Sequence, residues 1–135
     1  MVASGRRLSK HHDYVNLVEQ DYFASVRERD LARTLECFDE NAVFTIQSAF
    51  KTYSGRDTEI RGMFERFFRS YTSIIHRDFE HVVDLDHQRC ATRFSVDLMS
   101  EQQSASAMSN CNFFYLENGR FKRVYVYMSG PNILV

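Results

Sequence analysis

The pattern of apolar and polar residues divides the chain into a helical first half and a stranded second half. Up to about residue 71, apolar side chains recur every three or four residues, as on one face of a helix. After Thr72 they alternate with polar side chains, as on a half-buried antiparallel strand. This change of period predicts an α+β fold in which helices pack on one face of a sheet.

Three helices are predicted in the first half. The first spans Asp13 to Arg27, with Asp13 as its N-cap, and the second is short, from Asp30 to Phe38, where Asp30 accepts the free amides of the first turn. The third begins at the turn formed by Ser54 to Asp57. Its buried face is predicted to consist of Ile60 and the aromatic residues Phe64, Phe67, Phe68 and Tyr71.

Strands are predicted from alternation and from turn residues. One strand, Ala42 to Ser48, follows a break at the polar residues Asp39, Glu40 and Asn41. Along Arg89 to Met99, the residues predicted to face inward are Cys90, Thr92, Phe94, Val96 and Leu98. The dipeptide Asn118-Gly119, between Phe113 to Leu116 and Phe121 to Met128, predicts a hairpin, because both central residues of a type I′ turn need positive φ.

Composition narrows the class of protein. With 17 basic and 18 acidic residues, the net charge of -1 attracts neither nucleic acid nor an anionic membrane, so neither is a predicted partner. No run approaches the roughly 18 apolar residues of a membrane span. Three cysteines without paired spacing predict free thiols in a cytoplasmic protein, and no metal site or cofactor is predicted. We interpret residues 1–12 as a mobile tail and 13–135 as one domain.

Short segments spread along this domain together resemble a known family. They are Tyr22-Phe23, Arg29-Asp30-Leu31, the run Cys37 to Phe44, Ser54 to Asp57, Asn118-Gly119-Arg120, Met128 and Asn132. The chain resembles the SnoaL-like branch of the nuclear transport factor 2-like superfamily. This resemblance implies a cone-shaped, cystatin-like fold, in which a curved mixed sheet is covered by three helices. It also implies a deep apolar pocket and dimerisation through the sheet.

The superfamily includes ketosteroid isomerases, polyketide cyclases, dehydratases, epoxide hydrolases and non-catalytic transport factors, so its fold does not define one function. The resemblance to ketosteroid isomerases places a hydrogen-bond donor at Tyr22, the base at Ile46 and a second donor at Cys111. An isoleucine cannot take a proton and a thiol is a weak donor. The sequence therefore predicts no steroid isomerisation.

The resemblance to dehydratases places their histidine at His76 and their carboxylate at Arg27. A cation there would disfavour the imidazolium. We take Tyr22 and His76 as candidate catalytic residues, with two alternatives. Tyr22 can be a core aromatic residue, and His76 can share a solvated face with Asp78 and Glu80 unless a β-bulge reverses the strand's parity.

A predominantly apolar lining predicts a pocket for a small hydrophobic or aromatic molecule. The predicted ligand-binding residues are Tyr14, Phe64, Phe67, Phe94, Val96, Leu98, Cys111, Phe113, Val124 and Met128. The alternative is that these side chains simply fill the cone. If the pocket is open, the protein would be a lyase, isomerase or cyclase without the usual carboxylates, or a binder without turnover. Whether it is an enzyme stays open, and a non-catalytic, dimeric protein-interaction module is the alternative function.

The family resemblance and the alternation along the last strand together predict a homodimer. Phe121, Tyr125 and Tyr127 are expected on the outer sheet face, and Val124, Val126 and Met128 on the inner face. Large aromatic side chains on the outer face would be exposed in a monomer.

Overall fold

Helices occupy the first half of the chain in the computed structural model, which describes residues 6–102 and 104–134. Helix α1 is continuous over three segments, His11–Asn16, Leu17–Phe23 and Ala24–Arg27, of which the middle one is π-helical. Helix α2 spans Leu31–Glu36. Helix α3 begins with a π-helical segment, Gly55–Ile60, and continues as Arg61–Ser70. None of the described helices is long and apolar enough to cross a membrane.

The predicted helix starts are confirmed for α2 and wrong for α1. Asp30 Oδ1 accepts a hydrogen bond from the Arg33 backbone N–H at 3.2 Å and caps α2. Helix α1 instead begins at His11, two residues before the predicted N-cap Asp13. Just before it, Arg7 donates to the Leu85 carbonyl at 3.2 Å, so this part of the predicted tail contacts the domain. Residues 1–5 of that tail lie outside the described residues.

Six strands form one mixed sheet, as the fold class predicted. They are β1 (Phe38–Ile46), β2 (Lys51–Ser54), β3 (Ser73–Asp84), β4 (Arg89–Met99), β5 (Ser104–Glu117) and β6 (Arg120–Met128). Their order is β2-β1-β6-β5-β4-β3. The β1–β6 pair is parallel and the other pairs are antiparallel.

Two features of the strands differ from the prediction. Strand β1 starts at Phe38, so the polar run Asp39 to Asn41 continues the strand instead of breaking it. The four-residue strand β2 was not predicted, because an edge strand this short shows no clear alternation. The predicted hairpin is confirmed: Asn118 (φ 53°) and Gly119 (φ 78°) connect β5 to β6.

An aromatic core joins the helices to the inner face of the sheet. The Tyr22 ring lies at its centre, with centroid distances of 4.8–6.3 Å to Phe23, Phe38, Phe64, Phe114 and Phe121. The predicted inward residues of β4, from Cys90 to Leu98, are all buried.

The outward position predicted for Phe121 is wrong. Tyr115 pairs with Arg123 and Leu116 with Phe121, so β6 carries one extra residue at this point. This irregularity lets both Phe121 and Val124 face the core, where both are fully buried.

All three cysteines are free thiols. Cys37 and Cys90 are buried, and burial raises the pKa of Cys90 to about 12. A protonated, buried thiol behaves as a small apolar side chain. The cytoplasmic location stays a prediction.

Candidate functional site

A β-bulge at Asp78 determines on which face of the sheet the His76 side chain lies relative to the residues that follow it. Asp78 has a φ of 60°, and the β3–β4 register shifts between Arg77 and Glu80. Before the bulge, Ile74 and His76 share the inner face, and after it the inward positions fall on the odd-numbered residues. The proposed alternative, that His76 shares a solvated face with Asp78 and Glu80, therefore does not hold.

A small cavity, here called the inner cavity, lies between the helices and the sheet. Its volume is about 30 Å³. A water molecule needs about 10–15 Å³ measured in this way, so the inner cavity has room for about two waters. Aromatic side chains thus fill most of the cone. The lining residues are Tyr22, Phe23, Val26, Phe44, Phe64, Phe67, His76, Phe94, Asn110, Asn112, Val126, Met128, Ile133 and Leu134.

The structure brings part of the predicted site together. Tyr22 and His76 both line the inner cavity, and so do four of the predicted ligand-binding residues: Phe64, Phe67, Phe94 and Met128. Four others are buried in the core away from the cavity: Tyr14, Val96, Leu98 and Val124.

The last two predicted ligand-binding residues, Cys111 and Phe113, lie on the outer sheet face. The parity assigned to β5 is therefore wrong. Phe113 is 40% exposed, whereas its neighbours Asn112 and Phe114 are buried. The prediction placed the apolar Phe113 inward, but the inner positions here are the asparagines Asn110 and Asn112. Their shared parity with Phe114 and Leu116 was the sequence signal that could have identified them.

Two buried polar atoms at the inner cavity lack a partner in the part of the chain that the structure describes. Asn110 is satisfied, since its Oδ1 accepts from the Ser129 backbone N–H at 3.3 Å. Asn112 Oδ1 and His76 Nδ1 are buried without a hydrogen bond to any described residue. Leaving a buried polar group unpaired costs about 1–3 kcal/mol. A bound molecule that pairs with these atoms would recover that cost.

The His76 imidazole is packed between aromatic rings. Its centroid lies 4.4 Å from that of Phe23 and 5.3 Å from that of Phe94. Burial lowers the pKa of His76 to about 3, so the ring is neutral at neutral pH, with one donor and one acceptor nitrogen. Burial also raises the pKa of Tyr22, whose hydroxyl stays protonated.

None of the described residues that line the inner cavity is acidic. Ile46, at the position of the isomerase base, is fully buried, and Cys111 lies on the other face of the sheet. No group of three potential metal ligands comes together among residues 6–102 and 104–134. The site can therefore donate and accept hydrogen bonds, but it offers no carboxylate for proton transfer.

A second concavity, here called the outer cleft, adjoins the inner cavity between α1 and β3. Its volume is about 200 Å³, and it is lined by Glu19, Gln20, Phe23, Ala24, Arg27, His76 and Phe79. Glu19 Oε2 lies 2.5 Å from His81 Nε2, and His81 Nδ1 lies 2.8 Å from Thr92 Oγ1. This chain of contacts ties the Glu19 carboxylate to the sheet.

Comparisons with known proteins agree with the fold. The family model for the SnoaL-like domain matches residues 20–124. A candidate polyketide cyclase from Xanthomonas campestris superposes with a TM-score of 0.70 at 19% identity, over 86% of this chain and 90% of that chain. A candidate isomerase from Bacillus subtilis has a TM-score of 0.76 at 18% identity, over 87% of each chain.

An LEH-like epoxide hydrolase from M. tuberculosis has a TM-score of 0.74 at 13% identity, covering 87% of this chain and 84% of that chain. At these identities the similarity establishes the fold and leaves the reaction open. No curated protein sequence matches the chain significantly.

Proposed function

Because the chain belongs to the family of SnoaL-like domains, we propose that it binds a small apolar or aromatic molecule in an expanded form of the inner cavity. The observation that carries this proposal is a pair of unpartnered buried atoms, His76 Nδ1 and Asn112 Oδ1, on two residues that both line the inner cavity. A ligand hydroxyl would donate to Asn112 Oδ1. The apolar body of the ligand would gain about 25 cal/mol for each Å² of apolar surface that it buries.

Ligand entry requires the cavity to open. Two residues after the last strand, Ile133 and Leu134, form part of its lining. Few hydrogen bonds hold them: the Tyr53 hydroxyl donates to the Leu134 carbonyl at 3.3 Å, and the Leu134 N–H donates to Asn132 Oδ1 at 2.9 Å. Displacement of these two side chains would enlarge the cavity without breaking a strand pair.

The proposed role is ligand binding. We propose no reaction that would need a carboxylate as acid or base. General acid–base catalysis works best when the pKa of the catalytic group lies near the operating pH, and the pKa of His76 is about 3. A neutral His76 and a protonated Tyr22 can orient a ligand and polarise a carbonyl group. Any turnover in this cavity would depend on these two residues.

The experiment compares phenol with toluene, which have the same size and differ in one hydroxyl donor. Ligand-observed NMR titrations would be run on the wild-type protein and on Asn112→Leu, which keeps the number and branching of the side-chain heavy atoms but removes the acceptor. We expect phenol to bind the wild type about tenfold more tightly than toluene, because only phenol can donate a hydrogen bond to the buried acceptor. In Asn112→Leu the two affinities should converge. Absence of binding by both molecules would refute the proposal.

We also propose that two copies of the chain associate through the outer sheet face. Phe113 and Tyr127 are 40% and 43% exposed there, and their ring centroids lie 6.0 Å apart. Arg93, which pairs with Glu80 at 2.7 Å, adds a polar rim. The partner surface is the same patch on a second copy of the chain, because a two-fold contact joins identical surfaces.

A further inference from the structure

Arg27 places a cation at the rim of the outer cleft. It is exposed at the end of α1, and no described residue forms an ion pair with it. The other charged residue that lines the cleft, Glu19, contacts His81 at 2.5 Å. The Glu19 carboxylate is therefore already engaged by the imidazole. The guanidinium is therefore the charged group of the cleft that is free for a ligand.

The outer cleft and the inner cavity share a wall. Phe23 and His76 line both of them, with ring centroids 4.4 Å apart and planes tilted by 33°. Rotation of either ring would join the two spaces. A molecule placed across this wall would reach the unpartnered Asn112 Oδ1 at one end and the Arg27 guanidinium at the other.

We propose that the ligand is an amphipathic acid, with its carboxylate on Arg27, its apolar body against Phe23 and Phe79, and a hydroxyl group in the inner cavity. This inference rests on the proposed function and names the class of ligand. A guanidinium binds a carboxylate through two parallel N–H···O bonds, which gives both strength and orientation. The Gln20 carboxamide at the same rim can donate a further hydrogen bond.

The test uses three related compounds and isothermal titration calorimetry. 4-Hydroxyphenylacetate carries both polar groups, 4-hydroxyphenethyl alcohol lacks the charge, and phenylacetate lacks the hydroxyl. For the wild type, we expect the hydroxy acid to bind about tenfold more tightly than the alcohol, an advantage that falls as the salt concentration rises. In Arg27→Gln, the acid and the alcohol should bind equally.

Arg61→Gln is the matched control, because Arg61 is also an exposed arginine on a helix but lies outside both concavities. This variant should keep the full preference for the acid. If the acid and the alcohol bind the wild type equally well, the inference is wrong and the proposed function stands. It is also wrong if Arg27→Gln keeps the preference for the acid. If none of the three compounds binds, the proposed function itself fails.

Discussion

Two polar side chains among the aromatic residues of the inner cavity cannot be explained by packing alone. Asn112 is buried on the inner sheet face, yet its Oδ1 finds no partner among the described residues. His76 packs against Phe23 and likewise leaves Nδ1 without a partner among the described residues. Buried groups that are not satisfied within the protein reduce stability, and such positions are typical of sites that act on another molecule.

The two asparagines of β5 should respond differently to substitution by leucine. Asn110→Leu removes the acceptor of the Ser129 N–H and should lower the free energy of unfolding by about 1 kcal/mol. Asn112→Leu removes an unpartnered atom and should leave that free energy unchanged or raise it slightly. Urea denaturation of both variants measures the difference. An equal loss in both would show that Asn112 is a structural residue.

His76 should make the protein less stable in mild acid. Its folded-state pKa of about 3 lies below the ordinary value of 6.5, so between these values the unfolded chain binds more protons than the folded one. Stability is therefore complete above about pH 6.5 and falls as the pH drops towards 3, by up to about 1.4 kcal/mol per pH unit from this residue.

His76→Phe keeps the ring packing and should flatten the decrease in stability between pH 6.5 and 5, as measured by urea denaturation at each pH. His87→Gln is the control, because the His87 side chain is 67% exposed. If wild type and His76→Phe depend on pH in the same way, His76 is not the buried neutral group described above.

At the scale of elements, one extra residue in a strand determines which residues face the site. The bulge at Asp78 lets His76 point inward although polar residues follow it at the same parity. The strand β3 lies at the edge of the sheet, where bulges are common. The residue at the bulge has a positive φ, which aspartate tolerates better than most residues.

Substitutions of Asp78 should separate this backbone effect from its charge. Glycine tolerates the positive φ, so Asp78→Gly should keep the bulge. The ion pair with Arg77 that it removes is exposed and contributes little, so we expect the free energy of unfolding to change by no more than about 0.5 kcal/mol. Asp78→Val places a β-branched residue at positive φ and should cost about 1–2 kcal/mol. Urea denaturation measures both values, and similar stability of the two variants would contradict the backbone argument.

The segment after β6 should control access to the inner cavity. Leu134→Ala should cost about 2 kcal/mol of stability and speed the association of phenol, because it removes part of the cavity's cover. Leu98→Ala is the control, since Leu98 is equally apolar and buried but does not line the cavity. It should lose stability without a change in the association rate. Equal rates in both variants, followed by NMR line shape, would locate the entrance elsewhere.

At the scale of the whole molecule, the sheet has two faces with different roles. The inner face carries the aromatic core and the inner cavity, and the outer face exposes Phe113 and Tyr127. We propose that a second copy of the chain covers Phe113 and Tyr127. We therefore expect a dimer by sedimentation velocity at micromolar concentrations, and a monomer for Phe113→Glu. Phe50→Glu is the control, because Phe50 is 87% exposed at the turn before β2, away from the paired rings. A monomeric wild type would contradict this prediction.

Local patterns were sufficient to predict much of this fold. The amphipathic period predicts α1 and α3, Asp30 caps α2, and Asn118-Gly119 forms its hairpin because these signals depend on residues close in sequence. The family resemblance, now supported by a match over residues 20–124, adds the order of these elements. The positions of Tyr22, Phe64 and Phe67 in the core follow from the same helical period.

The site was only partly predictable, because its residues are oriented by strand pairing. One extra residue in β3, and another in β6, reversed the alternation for His76 and Phe121. In β5, the apolar Phe113 suggested the wrong face, and Asn110 and Asn112 were overlooked. The sequence thus determined which segments form helices and strands, since that choice depends on local propensity and period. Only the tertiary structure decided which side chains meet at the inner cavity, since a shift of one residue turns every following side chain to the opposite face of the sheet.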